Sequence, residues 1–96
     1  MTPPFSVHIT PQYERVIRKL LKRHKELREL QDRLREILES DPQNLTYHHP
    51  LKKLEAVPRG AGQYRIRLRR FRFRYEIFDR EVWLFYCSLR REDTYR

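Results

Sequence analysis

Cysteine, glycine and long apolar runs are scarce in this 96-residue chain, and each scarcity narrows what it can be. The single cysteine, Cys87, excludes an internal disulfide. It sits in an apolar strand pattern with no histidine placed beside it, which describes a small core residue of a reducing compartment rather than a nucleophile. Four histidines without an HxxH spacing, and one cysteine without CxxC, argue against a metal site; no cofactor is expected either. No apolar run approaches the ~20 residues of a membrane span. The start, MTPPFSVHITP, has neither the basic opening nor the long apolar stretch of a signal peptide. The expectation is a cytoplasmic chain with no membrane partner, folded as one domain over residues 1–96 around one small core.

Acidic residues are missing where basic ones are densest. Residues 65–74 read RIRLRRFRFR, with Arg at 65, 67, 69, 70, 72 and 74, and residues 65–75 contain no Asp or Glu. Strand side chains alternate between faces. Tyr64, Ile66 and Leu68 therefore share one face and Arg65, Arg67 and Arg69 the other; beyond Arg70, Phe71, Phe73, Tyr75 and Ile77 separate in the same way from Arg70, Arg72, Arg74 and Glu76. A hairpin of these two segments has an apolar side and a guanidinium side. One reading is an ordinary solvated sheet face. The other is an anion-binding face, favoured because cross-strand like charges repel unless an anion arrives. A nucleic-acid backbone and an acidic protein segment both satisfy it. The net charge of +9 is concentrated in the same half: residues 59–96 hold 11 Lys and Arg against 5 Asp and Glu, and residues 1–58 hold 11 against 8.

In chain order, Phe5 to Ile9 alternates and predicts a first strand with Phe5, Val7 and Ile9 facing the core. Thr10-Pro11 is a helix start, a capping hydroxyl before a proline in the first turn. Tyr13, Val16, Ile17, Leu20 and Leu21 make one apolar stripe, and Leu27, Leu30, Leu34, Ile37 and Leu38 make another. A single helix over both would run about 43 Å, too long for this domain, so an antiparallel hairpin breaking within Lys22-Arg23-His24-Lys25 is predicted. Charged pairs four apart, among them Arg28–Asp32 and Arg35–Glu39, describe a solvated helix surface. Ser40-Asp41-Pro42 stops the second helix. Residues 43–62 then form a long connection, anchored by Leu45, Leu51, Leu54 and Val57, that carries His48-His49 before Pro50-Leu51-Lys52. Strands follow at about 63–69, 71–78 and 81–89. The last, EVWLFYCSL, is apolar on both faces and should be central or covered on both sides. The layout is α+β: a short N-terminal strand, a helical hairpin and a three-strand meander completing an antiparallel sheet with helices on one face.

This order, with GQYRIRL, FRFRYEIFDREVWLFY and the closing LRREDTY, resembles the RelE/ParE superfamily of toxins from type II toxin–antitoxin systems. The resemblance spans nearly the whole chain. It is generic in the helices and specific over residues 62–95. It implies a small toxin neutralised by a cognate antitoxin. RelE-like members cleave mRNA on the ribosome, where contacts with 16S rRNA are expected, and ParE-like members poison DNA gyrase. Carried over residue by residue, the RelE-like catalytic set falls on Arg65 and Arg67, Arg72, Arg91 (or Arg90) and Tyr95. Arg69, Arg70, Arg74, Arg90, Lys52 and Lys53 are the further RNA-phosphate contacts that this resemblance and the charge pattern imply.

The chemistry fits these residue types. Metal-free cleavage uses the ribose 2′-OH against the adjacent phosphate. It needs a proton acceptor, a proton donor to the departing 5′ oxygen and cations on the phosphorane between them. RelE itself has Lys in the first pair, where this chain has Arg65 and Arg67, and guanidinium does not give up its proton readily. In the related YoeB branch a Glu base precedes Pro-Leu-Lys, and here that place is His49, an imidazole suited to the task. The alternative for His49 is an idle loop residue. Three readings of the whole remain: an mRNA endonuclease, which is favoured because it gives Tyr95 a task, a gyrase-binding toxin, and an inactive member whose Arg face only holds its antitoxin.

Overall fold

Thr10 both starts the first helix and fastens it to the sheet. Its backbone is extended, and its hydroxyl accepts the Tyr13 N–H at 3.2 Å as a helix N-cap. The same hydroxyl donates to the Leu84 carbonyl at 3.0 Å, beside the Thr10 N–H on that carbonyl at 3.1 Å. In the computed structural model, which describes residues 4–89, the elements are β1 (Ser6–Ile9), α1 (Pro11–Arg23), α2 (Leu27–Ser40), β2 (Leu51–Lys53), β3 (Tyr64–Leu68), β4 (Phe71–Phe78) and β5 (Glu81–Leu89). The protein is an α+β domain, as its periodicities predict. Among the described residues no helix is long and apolar enough to cross a membrane.

The helical break falls where expected, and its physical basis is now visible. Continued through the break, one helix of about 43 Å would exceed the longest dimension of the domain, 38 Å. His24 leaves helical geometry and caps α1 with its N–H on the Leu20 carbonyl, 2.9 Å. Its ring meets the buried Phe71 ring edge-on, with centroids 5.4 Å apart. A histidine in the most polar stretch of the helical region thus pins the hairpin to the sheet. The apolar stripes of both helices then bury Tyr13, Ile17, Leu27, Leu30, Leu34, Ile37 and Leu38 against Ile66, Leu68, Phe71, Phe73, Tyr75, Val82, Leu84 and Cys87. Burial pushes the Cys87 thiol up to about 12, which suits a packing residue and not a nucleophile.

The sheet has five strands in the order β1-β5-β4-β3-β2. Three features depart from the expected antiparallel meander. First, β1 runs parallel to β5, pairing Ser6 with Glu81 through Ile9 with Leu84, so the sheet is mixed; alternation in β1 carries no information about direction. Phe5 and Val7 pack on the core, but Ile9, at the strand's end, is 46% exposed. Second, the long connection contributes an edge strand, β2, antiparallel to β3. Third, β5 carries a bulge. The register passes from Tyr75 opposite Leu84 to Arg74 opposite Tyr86, leaving Phe85 unpaired. Val82 and Leu84 face the core before it and Cys87 after it, which explains why EVWLFYCSL looks apolar on both sides. Both hairpins are two-residue turns, Arg69-Arg70 and Asp79-Arg80, each with its first residue at positive φ (54°) without glycine.

Two buried polar groups hold loops to this frame. The Tyr75 hydroxyl donates to the Pro42 carbonyl at 2.7 Å. Glu76 is 2% exposed although its place on β4 is in phase with Arg72 and Arg74. One of its oxygens accepts three backbone N–H groups, from Gly60, Gly62 and Gln63, at 2.8, 3.0 and 3.1 Å. The loop can present them because Gly60 and Gly62 adopt φ of +91° and +85°. Arg74 closes the same loop from beside it, Nε donating to the Gly62 carbonyl at 2.9 Å. Removing the carboxylate orphans three donors, two of them at part-buried sites and one fully buried. Glu76→Ala is therefore expected to cost about 2–4 kcal/mol, read as a lowered urea midpoint with an unchanged slope. A midpoint equal to wild type would show that water replaces the carboxylate freely.

Candidate functional site

Register turns the alternating arginines into an array. Arg65 lies opposite Arg74 and Arg67 opposite Arg72. Extending the rows across neighbouring strands gives Lys52, Arg65, Arg74 and Tyr86 in one line and Arg67, Arg72 and Ser88 in the next. These side chains share the sheet face opposite the helices, since Ile66, Leu68, Phe71 and Phe73 between them are buried. Among the described residues, the ion pairs join Arg18 to Glu14, Arg35 to Glu39, Arg70 to Glu26, and two histidines to carboxylates. None involves Lys52, Arg65, Arg67 or Arg72. Among the described residues these four cations have no acidic partner, an arrangement whose field favours an anion.

His49 is held at the border of this face. Asn44 grips its backbone in both directions, its amide donating to the His49 carbonyl at 2.9 Å and its oxygen accepting the His49 N–H at 3.1 Å. Asp41, just past α2, organises the same loop. Its carboxylate accepts the Leu45 N–H at 2.7 Å, the Thr46 N–H at 3.2 Å and the Thr46 hydroxyl at 2.6 Å. One ring nitrogen of His49, Nε2, lies 3.8 Å from Asp41 Oδ2. That is too long for a hydrogen bond. Burial alone would raise the Asp41 carboxyl; the Thr46 hydroxyl, the two N–H groups and His49 outweigh it and hold the group below its ordinary value.

Two concavities meet at this border. A cleft of about 600 Å³ lies between α2, the His48–Pro50 segment and β3 at Arg67, Leu68 and Arg69. It opens because β2 pairs only with Tyr64–Ile66, leaving the edge of β3 uncovered beyond Arg67. A hollow of about 190 Å³ is lined by Pro50, Leu51, Lys52, Arg65 and Arg67. The larger cleft has mixed charge, because α2 brings Glu29, Asp32 and Glu36 to it along with Arg33. Among the described residues the smaller one has three cations and no acid, a lining of the charge that suits an anion. Pro50 and Arg67 line both, so His49 and the cationic hollow adjoin.

The structure thus brings together Lys52, Arg65, Arg67 and Arg72, with His49 at their edge. It places other candidates elsewhere. Lys53 is on the opposite face, its Nζ 5.9 Å from the centroid of the Tyr64 ring. Arg70 reaches Glu26 at 3.4 Å and ties one turn to another. Arg74 is on the face but occupied by the Gly62 and Ala61 carbonyls. Arg69 sits in the turn at the mouth of the larger cleft. Arg90, Arg91 and Tyr95 lie outside the described residues. The sequence pattern marks Asp41 only as a helix stop and Asn44 only as loop. The cue to both is their side-chain chemistry, since Asp and Asn directly after a helix commonly cap nearby backbone.

Comparison of the chain with protein-family models, with curated proteins and with solved structures gives no match.

The depressed Asp41 carboxyl sets the sign of an acid effect. Its contribution to stability is complete above the ordinary carboxylate value of ~4 and is lost as pH falls through the lower folded value. Asp41→Asn should therefore lose stability at neutral pH and flatten the acid limb of the profile, measured as urea midpoints from neutral pH downward. An acid limb as steep as wild type would place that sensitivity in other carboxylates.

Proposed function

We propose that this protein is a toxin of the RelE/ParE type that cleaves mRNA on the ribosome without a metal. The observation that carries the reading is the junction of a hollow, whose charged lining of Lys52, Arg65 and Arg67 is all cationic, with His49, whose backbone Asn44 fixes at its border. The resemblance of residues 62–95 to that superfamily points the same way.

In this reading the scissile phosphate enters the hollow, where Arg65 and Arg67 grip its non-bridging oxygens, and Arg72 reaches toward it from its place across from Arg67. Their charge counts for more as negative charge builds on the phosphorane. His49 takes the proton from the 2′-OH, and the 2′ oxygen bonds to phosphorus while the bond to the 5′ oxygen breaks. The products are a 2′,3′-cyclic phosphate and a 5′-hydroxyl. Asp41 Oδ2, 3.8 Å from the ring, places negative charge beside the positive charge that develops on the imidazole in this step. Tyr95 is assigned the proton for the departing 5′ oxygen, and Arg91 a further clamp. A cognate antitoxin would silence the site by laying carboxylates over the arginines.

The test is primer extension on an mRNA translated in a reconstituted bacterial system with the protein added. Cuts within the ribosomal A-site codon are expected, reduced about 100-fold or more by Arg67→Ala or Arg72→Ala and by His49→Ala. Cleavage that survives His49→Ala but not Arg72→Ala would remove the imidazole from the mechanism. Intact mRNA with wild-type protein would reject the nuclease, and inhibition of gyrase supercoiling would then favour the ParE-like alternative.

A further inference from the structure

The bulge in β5 has a specific effect on one side chain. Val82 and Leu84 face the core, and uninterrupted alternation would bury Tyr86 with them and turn Cys87 outward. The extra residue, Phe85, reverses the phase: Cys87 is buried and Tyr86 emerges on the opposite face, 41% exposed. There it stands directly across from Arg74 and diagonally from Arg72. Those positions correspond to side-chain origins roughly 5 and 7 Å apart, a span comparable to that from a nucleotide's base to its own phosphate. Bulges near functional sites re-aim side chains in this way. The core gains nothing from leaving a large ring on a charged face.

We propose that Tyr86 is a base-stacking platform, so that the arginine face takes single-stranded RNA with an unstacked base lying on the Tyr86 ring and the adjoining phosphate on Arg72. The inference rests on the nuclease reading for its substrate class, and it names how that substrate is held. Two observations favour RNA over an acidic protein segment. An acidic segment needs only the cations and gives an exposed ring among them no task. The ring is also next to guanidinium groups, the arrangement by which single-stranded nucleic acid is bound through stacking and backbone charge together. Arg74 contributes rigidity: with Nε on the Gly62 carbonyl it is fixed, so the position across from Tyr86 does not collapse onto the ring. Tyr86 acts here as a positioning and selectivity residue; the proton transfers belong to other groups.

The experiment is a fluorescence-anisotropy titration off the ribosome, using a labelled single-stranded RNA of about 12 nucleotides and an abasic sugar-phosphate oligomer of equal length. Wild type should bind the RNA about tenfold or more tightly than the abasic oligomer. Tyr86→Ala should erase that preference while keeping the abasic affinity, which also shows that the variant is folded. Tyr86→Phe should retain the preference, since stacking needs the ring and not the hydroxyl. Arg72→Ala should weaken both ligands alike and reduce the salt dependence of binding. Equal affinity of wild type for the two oligomers, or a preference unchanged in Tyr86→Ala, overturns the proposal. So does failure to bind RNA while polyglutamate binds wild type and Tyr86→Ala equally, which would assign the face to an acidic protein. A Tyr86-dependent preference without ribosomal cleavage would sustain this inference while rejecting the nuclease reading.

Discussion

Two cross-strand pairs of like charge, Arg65 with Arg74 and Arg67 with Arg72, are held together by the four apolar side chains alternating with them. Ile66, Phe71 and Phe73 are wholly buried and Leu68 nearly so. Full burial of such side chains is worth about 1.5–3 kcal/mol each. An unfavourable cross-strand pair costs at most about 1 kcal/mol. Burial wins by several-fold, and it fixes the register, because a slip of one residue would put arginines in the core. The charged face is thus imposed by the apolar one, and the core beneath it fixes the backbone positions from which the arginines project.

Two carboxylates flanking this array are committed to loop backbone. Glu76, in phase with Arg72 and Arg74 on the same strand, satisfies the Gly60, Gly62 and Gln63 N–H groups. Asp41 takes the Leu45 and Thr46 N–H groups and the Thr46 hydroxyl. Each acid shapes a loop flanking the face: Glu76 the one before β3, Asp41 the one that presents His49. The arrangement uses negative charge to build the walls of the site and keeps it off the floor.

Much of this could be read from the residues. Alternation alone separates the arginines of β3 and β4 from their apolar partners, and 3.6-residue spacing with Thr10-Pro11 marks the helices. What escaped was structure that depends on partners distant in sequence or on very short segments. Three residues, Leu51–Lys53, are too few for alternation to register as a strand, and whether Lys52 or Lys53 joins the arginines depends on pairing with β3. The direction of β1 is set by the crossover through the helices. The bulge hides in EVWLFYCSL because a phase reversal and a doubly covered strand leave the same apolar pattern. Glu76 reads as one more polar residue on a charged face, since its partners come from a loop 13 to 16 residues earlier.

The parallel pairing of β1 with β5 also bears on how the molecule is made. It joins Ser6–Ile9 to Glu81–Leu84, across nearly the whole chain, and Thr10 at the start of α1 is fastened to the same strand by two hydrogen bonds. A polypeptide leaving its ribosome has two amphipathic helices early and no completed sheet to receive them until β5 has emerged. Contacts of such sequence separation close late and slowly. Final assembly therefore waits on β5, and a truncated product lacking β5 would hold its arginines on a hairpin with no anchored helical layer behind it.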